Sequence, residues 1–343
     1  MEKLYIPKSP IMLCIGLTTK CNLNCRHCSA DANSENVFFP HSELITIIDT
    51  AKELGVKKLI FGGGEPLLYE QLFDVCEYAL AKGFKVSFVT NGTLVSEVIE
   101  RFSKILDYRH SFEVGVSLDG HTPEIHGYFR PAETFAPAIE AINLLKNEGF
   151  NVSVSCVLSK GNIETIPDFL KFLLSINQYD IRFLPFTLLG RGKDCAEEMF
   201  SPAELYGLIK EQQKWKKIFG NNISIHFPWE FLSLPVEKRQ PSPCETGYLR
   251  LWINCSGDIF PCPHMENLAI GNIYHDSISD VWNNSPILKA LRNPALLKGT
   301  CSSCQYRNGC RGGCRGLAYL MEGDYLCSDP YCPIVVQNKN VQA

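Results

Sequence analysis

TTKCNLNCRHCSADA, residues 18–32, contains three cysteines at the spacing C-x3-C-x2-C: Cys21, Cys25 and Cys28. A structural zinc site takes four ligands and a disulfide takes two, so three thiols leave either kind of site incomplete. A catalytic metal centre, in contrast, keeps one coordination position for a substrate. The odd number of cysteines therefore predicts a reactive metal centre rather than a structural one.

The composition is that of a globular protein. The chain has 343 residues, of which 45% are hydrophobic and 20% charged, enough for one large α/β domain and a smaller addition. Its 33 Lys and Arg against 37 Asp and Glu give a net charge of −4, so no basic surplus indicates nucleic-acid binding. The amino terminus lacks the apolar core of a signal peptide, and no segment approaches the ~18 apolar residues of a membrane helix. We therefore predict a cytoplasmic protein without membrane or nucleic-acid partners.

The 16 cysteines are unevenly distributed. Three lie in the opening stretch and nine lie between Cys244 and Cys332. In a reducing cytoplasm, clustered cysteines more often bind metal or react than form disulfides. The four scattered cysteines are predicted to be small buried hydrophobic residues: Cys14, Cys76, Cys156 and Cys195.

Short apolar runs alternate with amphipathic segments over the first 219 residues. The predicted strands are 11–17, 57–61, 84–90, 112–118, 150–158 and 180–186. The predicted helices include 41–55, 69–83, 134–149, 166–175 and 202–219. Six β-α units predict a parallel sheet, and their regular spacing favours a barrel-like closure, although an open doubly wound sheet gives the same pattern.

The pattern changes after residue 220. We predict a barrel domain over 1–220, a linker over 221–243 and a small cysteine-rich domain over 244–343. The last region has little periodic apolar sequence to bury, so it needs metal ions or clusters to hold a fold.

Unusual loops follow four of the predicted strands. The three-cysteine loop follows the first strand, GGGEP (62–66) the second, TNG (90–92) the third and SLDG (117–120) the fourth. Ligands bind parallel sheets beyond the carboxyl ends of the strands. The four loops together therefore predict one ligand site at this edge.

The C-x3-C-x2-C stretch resembles the hallmark of the radical S-adenosylmethionine superfamily, and the resemblance covers most of the chain. It implies an α/β fold, a partial (β/α)6 TIM-like barrel, with a [4Fe-4S] cluster on Cys21, Cys25 and Cys28. In that family the fourth iron binds S-adenosylmethionine. One electron then breaks a carbon–sulfur bond, and a 5′-deoxyadenosyl radical takes hydrogen from the substrate.

One residue departs from the family pattern. His27 stands where the family usually has Tyr, Phe or Trp packed near the adenine, and an imidazole ring can still stack there. The alternative for the whole stretch is a zinc site completed by Cys14 or His27. That alternative would leave the other strand-end loops unexplained.

The same resemblance implies a set of cofactor-binding residues: Gly62, Gly63, Gly64, Glu65, Asn91, Ser117, Asp119 and Arg130. GGGEP is similar to the family's GGE motif, in which Glu65 or the neighbouring backbone would hold the cofactor's ammonium group. Ser117 and Asp119 would approach its methionine and ribose ends. For Asn91 the alternative is a plain Asn-Gly turn. For Arg130, a candidate partner of the cofactor carboxylate, the alternative is a surface salt bridge.

The cysteines from residue 244 follow the pattern C-x12-G-x4-C and, after a gap, C-x2-C-x5-C-x3-C and a final Cys332. This pattern resembles the seven-cysteine SPASM extension of radical S-adenosylmethionine enzymes in every spacing. It implies two further [4Fe-4S] clusters and therefore three in all. The first would use Cys244, Cys262 and Cys314, and the second Cys301, Cys304, Cys310 and Cys332.

The eighth ligand of these two clusters is left open by the pattern. Cys255 lies where some relatives have a ligand of the first cluster, and Cys327 is the other candidate. Without either, the first cluster has an open iron for substrate. The alternative for the region is a pair of zinc knuckles, which the C-x5-C-x3-C spacing fits poorly.

Family members with this extension oxidise or crosslink ribosomal peptides, convert a sulfatase residue, or decarboxylate porphyrin propionates. Sulfatase maturation is disfavoured because Pro263 and His264 follow Cys262 where those enzymes typically have Asp. We expect a peptide maturase, with a tetrapyrrole of the haem pathway or another small molecule as the alternative substrate. A non-catalytic iron–sulfur or zinc-binding protein is the second alternative.

The resemblance also implies partners. An electron donor such as flavodoxin or ferredoxin would reduce the radical cluster. Many peptide maturases carry an amino-terminal leader-binding module, whereas the first predicted strand here starts near residue 11, so a separate leader-peptide-binding protein is expected. The catalytic acid or base is not identified by any motif, and His264 is the candidate proton acceptor.

Overall fold

The computed structural model describes residues 6–33, 35–227 and 244–336. Its strands are Met12–Thr18 (β1), Lys58–Gly63 (β2), Lys85–Thr90 (β3), Phe112–Ser117 (β4), Asn151–Leu158 (β5), Asp180–Pro185 (β6), Ser224–His226 (β7), Arg250–Ile253 (β8), Asp258–Phe260 (β9) and Gly271–Asn272 (β10). Within the described residues they form one sheet in the order β10-β9-β8-β1-β2-β3-β4-β5-β6-β7.

The helices of the barrel region alternate with its strands, and shorter helices follow. They are His41–Glu53 (α1), Leu72–Ala81 (α2), Val95–Val98 (α3), Pro123–His126 (α4), Phe135–Asn147 (α5), Ile166–Ser175 (α6), Pro202–Phe219 (α7), Ile278–Asn284 (α8), Pro286–Leu291 (α9), Arg307–Cys310 (α10) and Arg315–Glu322 (α11). Among the described residues, none of these helices has the length and apolar character needed to span a membrane.

The six predicted strands are confirmed as β1 to β6, and they pair in parallel in chain order. β7 extends this parallel array beyond β6, and β8 extends it on the other side of β1. β9 and β10 are antiparallel additions. The described sheet ends at β7 and β10. The fold is therefore the expected partial barrel, enlarged by β7 and by the strands β8 to β10 of the carboxyl-terminal third.

Alternating side chains of each strand decide which face meets the helices. Phe88 of β3 and Phe183 of β6 are buried on the helix side. Their strand neighbours, Val89 and Leu184, are 43% and 46% exposed although both strands lie inside the sheet. Because successive side chains point to opposite faces, Val89 and Leu184 face the open lumen of the partial barrel.

The predicted amphipathic helices are present with their apolar faces inward. α1 buries Leu44, Ile47, Ile48 and Ala51, the i, i+3, i+4, i+7 pattern of its sequence. The crossover from β3 to β4 is different, because α3 has one turn and 3₁₀ turns continue over Ile99–Ser111. That segment buries only Phe102 and Ile105, so it lacks the apolar stripe that stabilises a longer α-helix.

The carboxyl-terminal third shares the core of the barrel. β8 pairs with β1 over the register Met12↔Arg250 to Ile15↔Ile253. Trp282 of α8 is fully buried and donates from its indole Nε1 to the Pro7 carbonyl at 2.9 Å. Of the predicted linker, 221–227 includes β7, and 228–243 lies outside the described residues.

Candidate functional site

The three-cysteine loop connects β1 to α1 at the carboxyl edge of the sheet, and polar side chains fix its backbone. Asn33 accepts a hydrogen bond from the Cys21 N–H at 2.7 Å. Arg191, from the segment after β6, donates to the Cys25 carbonyl at 2.9 Å and to the Ala32 carbonyl at 2.6 Å. The loop therefore has a defined shape in the protein itself.

The thiols of this loop act on one another electrostatically. Burial raises the pKa of Cys25, and the charges of Cys28 and Cys21 raise it further. Burial also raises the pKa of Cys21, which the Leu23 N–H opposes. Such thiols ionise when a metal binds, because a coordinated thiol loses its proton. Three converging sulfurs with hydrogen-bond donors nearby fit an iron–sulfur cluster with an open position.

A single metal ion would need a tighter arrangement. Among the described residues, no group of three or more His, Cys, Asp or Glu side chains is placed to hold one metal ion. The described cysteines are all free thiols.

Two glycines at the end of β2, Gly63 and Gly64, let that strand approach the cysteine loop. A Cβ on Gly64 would lie 2.0 Å from the Lys20 carbonyl oxygen, and one on Gly63, whose φ is +120°, would lie 2.2 Å from the Thr18 oxygen. Backbone hydrogen bonds join the same segments, from the Gly64 N–H to Thr18 and from the Glu65 N–H to Lys20. Only glycine permits this contact.

Gly62, in contrast to Gly63 and Gly64, has no protein atoms close to its α-carbon on the side where a side chain would point. A Cβ there would meet no atom within 4 Å, so its backbone borders open space in the lumen. Gly62 therefore fits the predicted role of a backbone that a ligand can approach closely.

Glu65 is 2% exposed, and both of its carboxylate oxygens are used inside the protein. Oε1 accepts from the Leu67 N–H at 3.1 Å and from the Thr90 hydroxyl at 2.7 Å, and Oε2 accepts from the Asn91 N–H at 2.8 Å. Burial raises the pKa of Glu65 despite these donors. Glu65 thus joins the ends of β2 and β3, and its structural contacts place Asn91.

Asn91 lies against the cysteine loop. Its Nδ2 donates to Asn22 Oδ1 at 2.8 Å and lies 4.0 Å from the Cys21 sulfur, while its Oδ1 accepts from Thr93. The Asn-Gly turn is therefore also a contact to the loop that carries the thiols.

Asp119 and Arg130 form a buried pair next to the second cysteine. Arg130 Nε donates to Asp119 Oδ2 at 2.6 Å, and its Nη1 lies 3.9 Å from the Cys25 sulfur. Although burial alone would raise the pKa of Asp119, the charges of Arg130 and His27 hold it well below its usual range. Arg130 therefore lies inside the site and not in a surface salt bridge.

His27 completes this pair. Its Nε2 lies 3.0 Å from Asp119 Oδ2, and its ring stacks on Phe129 with centroids 4.8 Å apart. Burial lowers the pKa of His27, whereas the charge of Asp119 and the hydrogen bond to it raise it. Its other nitrogen, Nδ1, is buried without a hydrogen-bond partner among the described residues.

The wall of the lumen carries small side chains near this site. A Cβ on Gly115 would lie 3.0 Å from Val89 and 3.2 Å from the Ser155 hydroxyl, so these residues share one layer. Ser117, at the end of β4, pairs in register with Ser155. A barrel interior is normally filled by bulky branched residues. Small ones leave room for a ligand.

A cavity of about 330 Å³ lies at the opposite end of the barrel, among the first residues of β2 to β6. Its charged groups compensate one another, since Glu113 pairs with Lys58 and Arg182. The strand-end loops described above are not part of this cavity.

A second group of thiols lies in the segments before β8, after β9 and at the start of α11. Burial, together with the charge of Cys244, raises the pKa of Cys262 to about 11. Burial also raises the pKa of Cys314 well above its usual value, and the charges of Cys244 and Cys262 add to this. These three predicted ligands of the first extra cluster are therefore brought together, from two distant segments of the chain.

His264 lies next to this second group. Its Nδ1 is 3.4 Å from the Cys262 sulfur, and its Nε2 is buried without a hydrogen-bond partner among the described residues. Burial lowers its pKa to about 4.

The remaining predicted ligands lie in the last described segment. The charge of Cys310 acts on Cys332, whose pKa is raised mainly by burial. Cys304 N–H donates to the Cys301 carbonyl. The two groups of thiols are linked by Asp329, which accepts from the Cys314 N–H at 2.7 Å and through its backbone carbonyl from the Cys332 N–H.

Cys255 and Cys327, the two candidates for the eighth ligand, lie in different surroundings. Burial raises the pKa of Cys255, and the charge that acts on it is that of Glu35 and not of another thiol. The pKa of Lys298 is raised mainly by its hydrogen bond to Asp324, and the charge of Cys327 adds to this. The Cys327 carbonyl accepts a hydrogen bond from Arg315 Nη1 at 2.6 Å.

Several residues of the site carry no recognisable signal in the sequence. Arg191 braces the cysteine loop, and Asp329 joins the two later groups of thiols. Arg315 is buried with two unpartnered guanidinium nitrogens among the described residues. These residues lie outside any motif, and the contacts that define them are between segments far apart in the chain.

Two family models match the chain. The radical SAM superfamily model matches residues 15–173, and the model of an iron–sulfur cluster-binding domain, SPASM, matches residues 244–305. The first covers β1 to α6, including the three-cysteine loop. The second covers the segment from Cys244 to beyond Cys304.

Curated relatives align over nearly the whole chain. The AdoMet-dependent heme synthase of Methanosarcina barkeri is 31% identical over 94% of this chain and 96% of its own length. The mycofactocin maturase MftC of Mycolicibacterium smegmatis is 28% identical over 94% of this chain and 83% of its own length.

Solved structures share the fold. SuiB of Streptococcus suis superposes with a TM-score of 0.76 when bound to S-adenosylmethionine, at 20% identity over 95% of this chain and 78% of SuiB. Bound to its precursor peptide SuiA, it gives a TM-score of 0.77 at 19% identity, over 96% of this chain and 77% of SuiB. At this identity the likeness is one of fold.

Proposed function

Since this chain belongs to the radical S-adenosylmethionine superfamily and carries its SPASM domain, we propose that it is an oxidoreductase that modifies a ribosomally made peptide. A reduced four-iron cluster would cleave S-adenosylmethionine, and the 5′-deoxyadenosyl radical so formed would take a hydrogen atom from the substrate. One observation carries the proposal. The three-cysteine loop lies at the carboxyl edge of a parallel partial barrel with an open lumen, and a second group of thiols lies in the segments around β8, the strand that pairs with β1.

Cys21, Cys25 and Cys28 are the proposed ligands of the radical cluster. Arg191 holds the loop that carries them, and Arg130 places a positive charge 3.9 Å from the Cys25 sulfur, which favours an anionic cluster there.

The predicted cofactor residues divide into two groups by their contacts. Gly62 and Ser117 border the lumen, so we propose that they line the S-adenosylmethionine site. Glu65 and Asp119 have their carboxylates occupied by protein donors, so we propose that they position Asn91 and Arg130. The cofactor's ammonium group would then meet the backbone around Gly62 rather than the Glu65 carboxylate.

For the later cysteines we propose two auxiliary [4Fe-4S] clusters. The first is held by Cys244, Cys262 and Cys314, and the second by Cys301, Cys304, Cys310 and Cys332. We propose Cys255 as the fourth ligand of the first cluster, with an open position on that cluster as the alternative. Equal iron content in Cys255→Ala and the wild type supports the open position, whereas a loss of iron indicates ligation.

The auxiliary clusters would accept electrons. Abstraction of hydrogen leaves a carbon radical on the substrate, and its oxidation needs an electron acceptor nearby. The segment that carries Cys244 and Cys262 is joined to the barrel through β8, which pairs with β1. We propose that the electrons leave by this route, that a flavodoxin or ferredoxin reduces the radical cluster, and that a separate protein binds the leader peptide.

The peptide substrate is supported by a relative named as a PqqA peptide cyclase, 26% identical over 95% of this chain, and by a shared fold with SuiB bound to its precursor peptide. A tetrapyrrole is the second candidate. It is favoured by the 31% identity to a heme synthase over 96% of that protein's length.

The test is a parallel assay of both substrate classes. Anaerobically reconstituted protein would be incubated with S-adenosylmethionine, a strong reductant and either the short peptides encoded beside its gene or haem-pathway tetrapyrroles. Production of 5′-deoxyadenosine that rises with a peptide, together with a mass change in that peptide, supports the first proposal. A rise with a tetrapyrrole alone supports the second, and no cleavage with cluster-loaded protein favours the non-catalytic alternative.

The electron route has its own test. Cys310→Ala removes a proposed ligand of the second auxiliary cluster and leaves the three-cysteine loop unchanged. We expect cofactor cleavage to continue while oxidised product falls at least tenfold. A soluble variant that lacks this cluster and gives wild-type product would contradict the electron route.

A further inference from the structure

The ring of His264 and the sulfur of Cys262 are in direct contact. His264 Nδ1 lies 3.4 Å from Cys262 Sγ, and the backbone N–H of His264 also donates to that sulfur. The Thr246 side chain is a third donor to the same atom. One nitrogen of the ring is thus directed at a thiol, and the other has no partner among the described residues.

Packing holds the ring in this position. Cys262 begins the 3₁₀ turn Pro263–Met265, which places His264 back over the cysteine. Gly316, in the first turn of α11, covers the pair: a Cβ there would lie 2.8 Å from His264 Cβ and 3.1 Å from Cys262 Sγ. Because only glycine fits at this contact, the ring is confined between the turn and the helix.

The state of Cys262 decides which group donates. A free thiol could donate its own hydrogen to Nδ1, but a thiolate bound to iron has none and can only accept. The contact is then favourable only when Nδ1 carries the hydrogen and Nε2 is the bare nitrogen.

We propose that His264 is a positioning residue for electron transfer, whose Nδ1–H donates to the Cys262 thiolate and raises the reduction potential of the first auxiliary cluster. The inference rests on the proposed function in one respect, namely that Cys244, Cys262 and Cys314 hold an iron–sulfur cluster. Reduction adds negative charge to such a cluster, and a donor to a ligand sulfur stabilises the more negative state. The protein thereby makes this cluster a better electron acceptor.

The test is a redox titration of the reconstituted protein, followed by the electron paramagnetic resonance signal of this cluster. His264→Phe removes both ring nitrogens. His264→Asn places an amide donor near the Nδ1 position, and His264→Gln places one near the Nε2 position. We expect the Phe and Gln variants to shift the reduction equilibrium about tenfold toward the oxidised form, about 59 mV for one electron, and the Asn variant to remain near the wild type.

Three outcomes would overturn the inference. The first is a Phe variant that keeps the cluster and the wild-type potential. The second is an equal reduction potential in the Asn and Gln variants. The comparison of these two variants carries the test if the Phe variant loses its cluster. The third is a nitrogen hyperfine coupling typical of iron-bound imidazole, which would make His264 a ligand. A wild type that retains the radical cluster but lacks the first auxiliary cluster would instead show that the proposed function itself fails.

Discussion

Arg130 donates from its guanidinium Nε to Asp119 Oδ2 at 2.6 Å, and this pair is buried next to the second cysteine of the three-cysteine loop. Asp119 is 1% exposed and also accepts from the Val157 N–H at 2.8 Å. A buried ion pair is costly to break, because removing one partner leaves the other charge without compensation. The same ion pair therefore stabilises the fold at this edge of the barrel and holds the Arg130 guanidinium beside the Cys25 sulfur.

The substitution Asp119→Asn tests this role of the ion pair. It keeps the shape of the side chain but leaves the Arg130 charge unpaired, so we expect the free energy of unfolding at pH 7 to fall by about 3–5 kcal/mol. The measurement is urea unfolding of the anaerobically reconstituted protein, with wild type and variant loaded to the same iron content. The control is Asp168→Asn, which removes an exposed carboxylate paired with Lys171 at 2.8 Å and should change stability by at most about 1 kcal/mol.

The pH dependence of that difference has a defined sign. The pKa of Asp119 is lower in the folded state than in the unfolded state, so its contribution is complete above the unfolded value, about 3.9, and is lost as pH falls below it. We expect the difference between wild type and Asp119→Asn to be constant from pH 8 to 5 and to shrink only at lower pH. A difference that already shrinks between pH 7 and 5 would show that the low folded-state pKa is wrong.

Two neighbouring glycines provide a matched pair of substitutions. In Gly64→Ala the new Cβ would lie 2.0 Å from the Lys20 carbonyl, so the cysteine loop must move. In Gly62→Ala it would meet no protein atom within 4 Å. We expect Gly64→Ala to lose about four irons on reconstitution and Gly62→Ala to retain them while binding S-adenosylmethionine more weakly. Equal iron content in both variants would contradict the role of Gly64.

Loss of one loop thiol should abolish cofactor cleavage without unfolding the protein. Cys25→Ala removes a proposed cluster ligand from a loop outside the sheet, so we expect a folded protein with 5′-deoxyadenosine formation reduced at least 100-fold under reducing conditions, a fall of at least about 2.7 kcal/mol in transition-state stabilisation. The control is Cys76→Ala, a fully buried thiol of α2, which should keep the activity and lose some stability. Cleavage by Cys25→Ala at the wild-type rate would rule out the radical cluster.

Iron counting distinguishes the three proposed clusters. The reconstituted wild type should hold about twelve irons, and the triple variant Cys21→Ala, Cys25→Ala, Cys28→Ala about eight, since each cube contributes four. The measurement is iron and acid-labile sulfide per chain under anaerobic conditions. A protein that takes up zinc and no iron would support the zinc alternative.

The sequence by itself determined the six strands β1 to β6 and the motif residues. Alternating apolar runs predicted β1 to β6 because a strand that faces helices must present apolar side chains at every second position. The spacing C-x3-C-x2-C and the later cysteine pattern predicted the family for a similar local reason, since ligand spacing within one loop is fixed by the chain itself.

Only the tertiary structure decided what those residues do to one another. It brings Arg191 to the Cys25 carbonyl across 166 residues, and it draws β8 alongside β1 in the barrel sheet. It also shows that the carboxylates of Glu65 and Asp119 accept hydrogen bonds from donors within the protein, which no motif reveals. These contacts join segments distant in sequence, and they follow from how the strands and loops pack in space, so the local spacing of residues carries no signal for them.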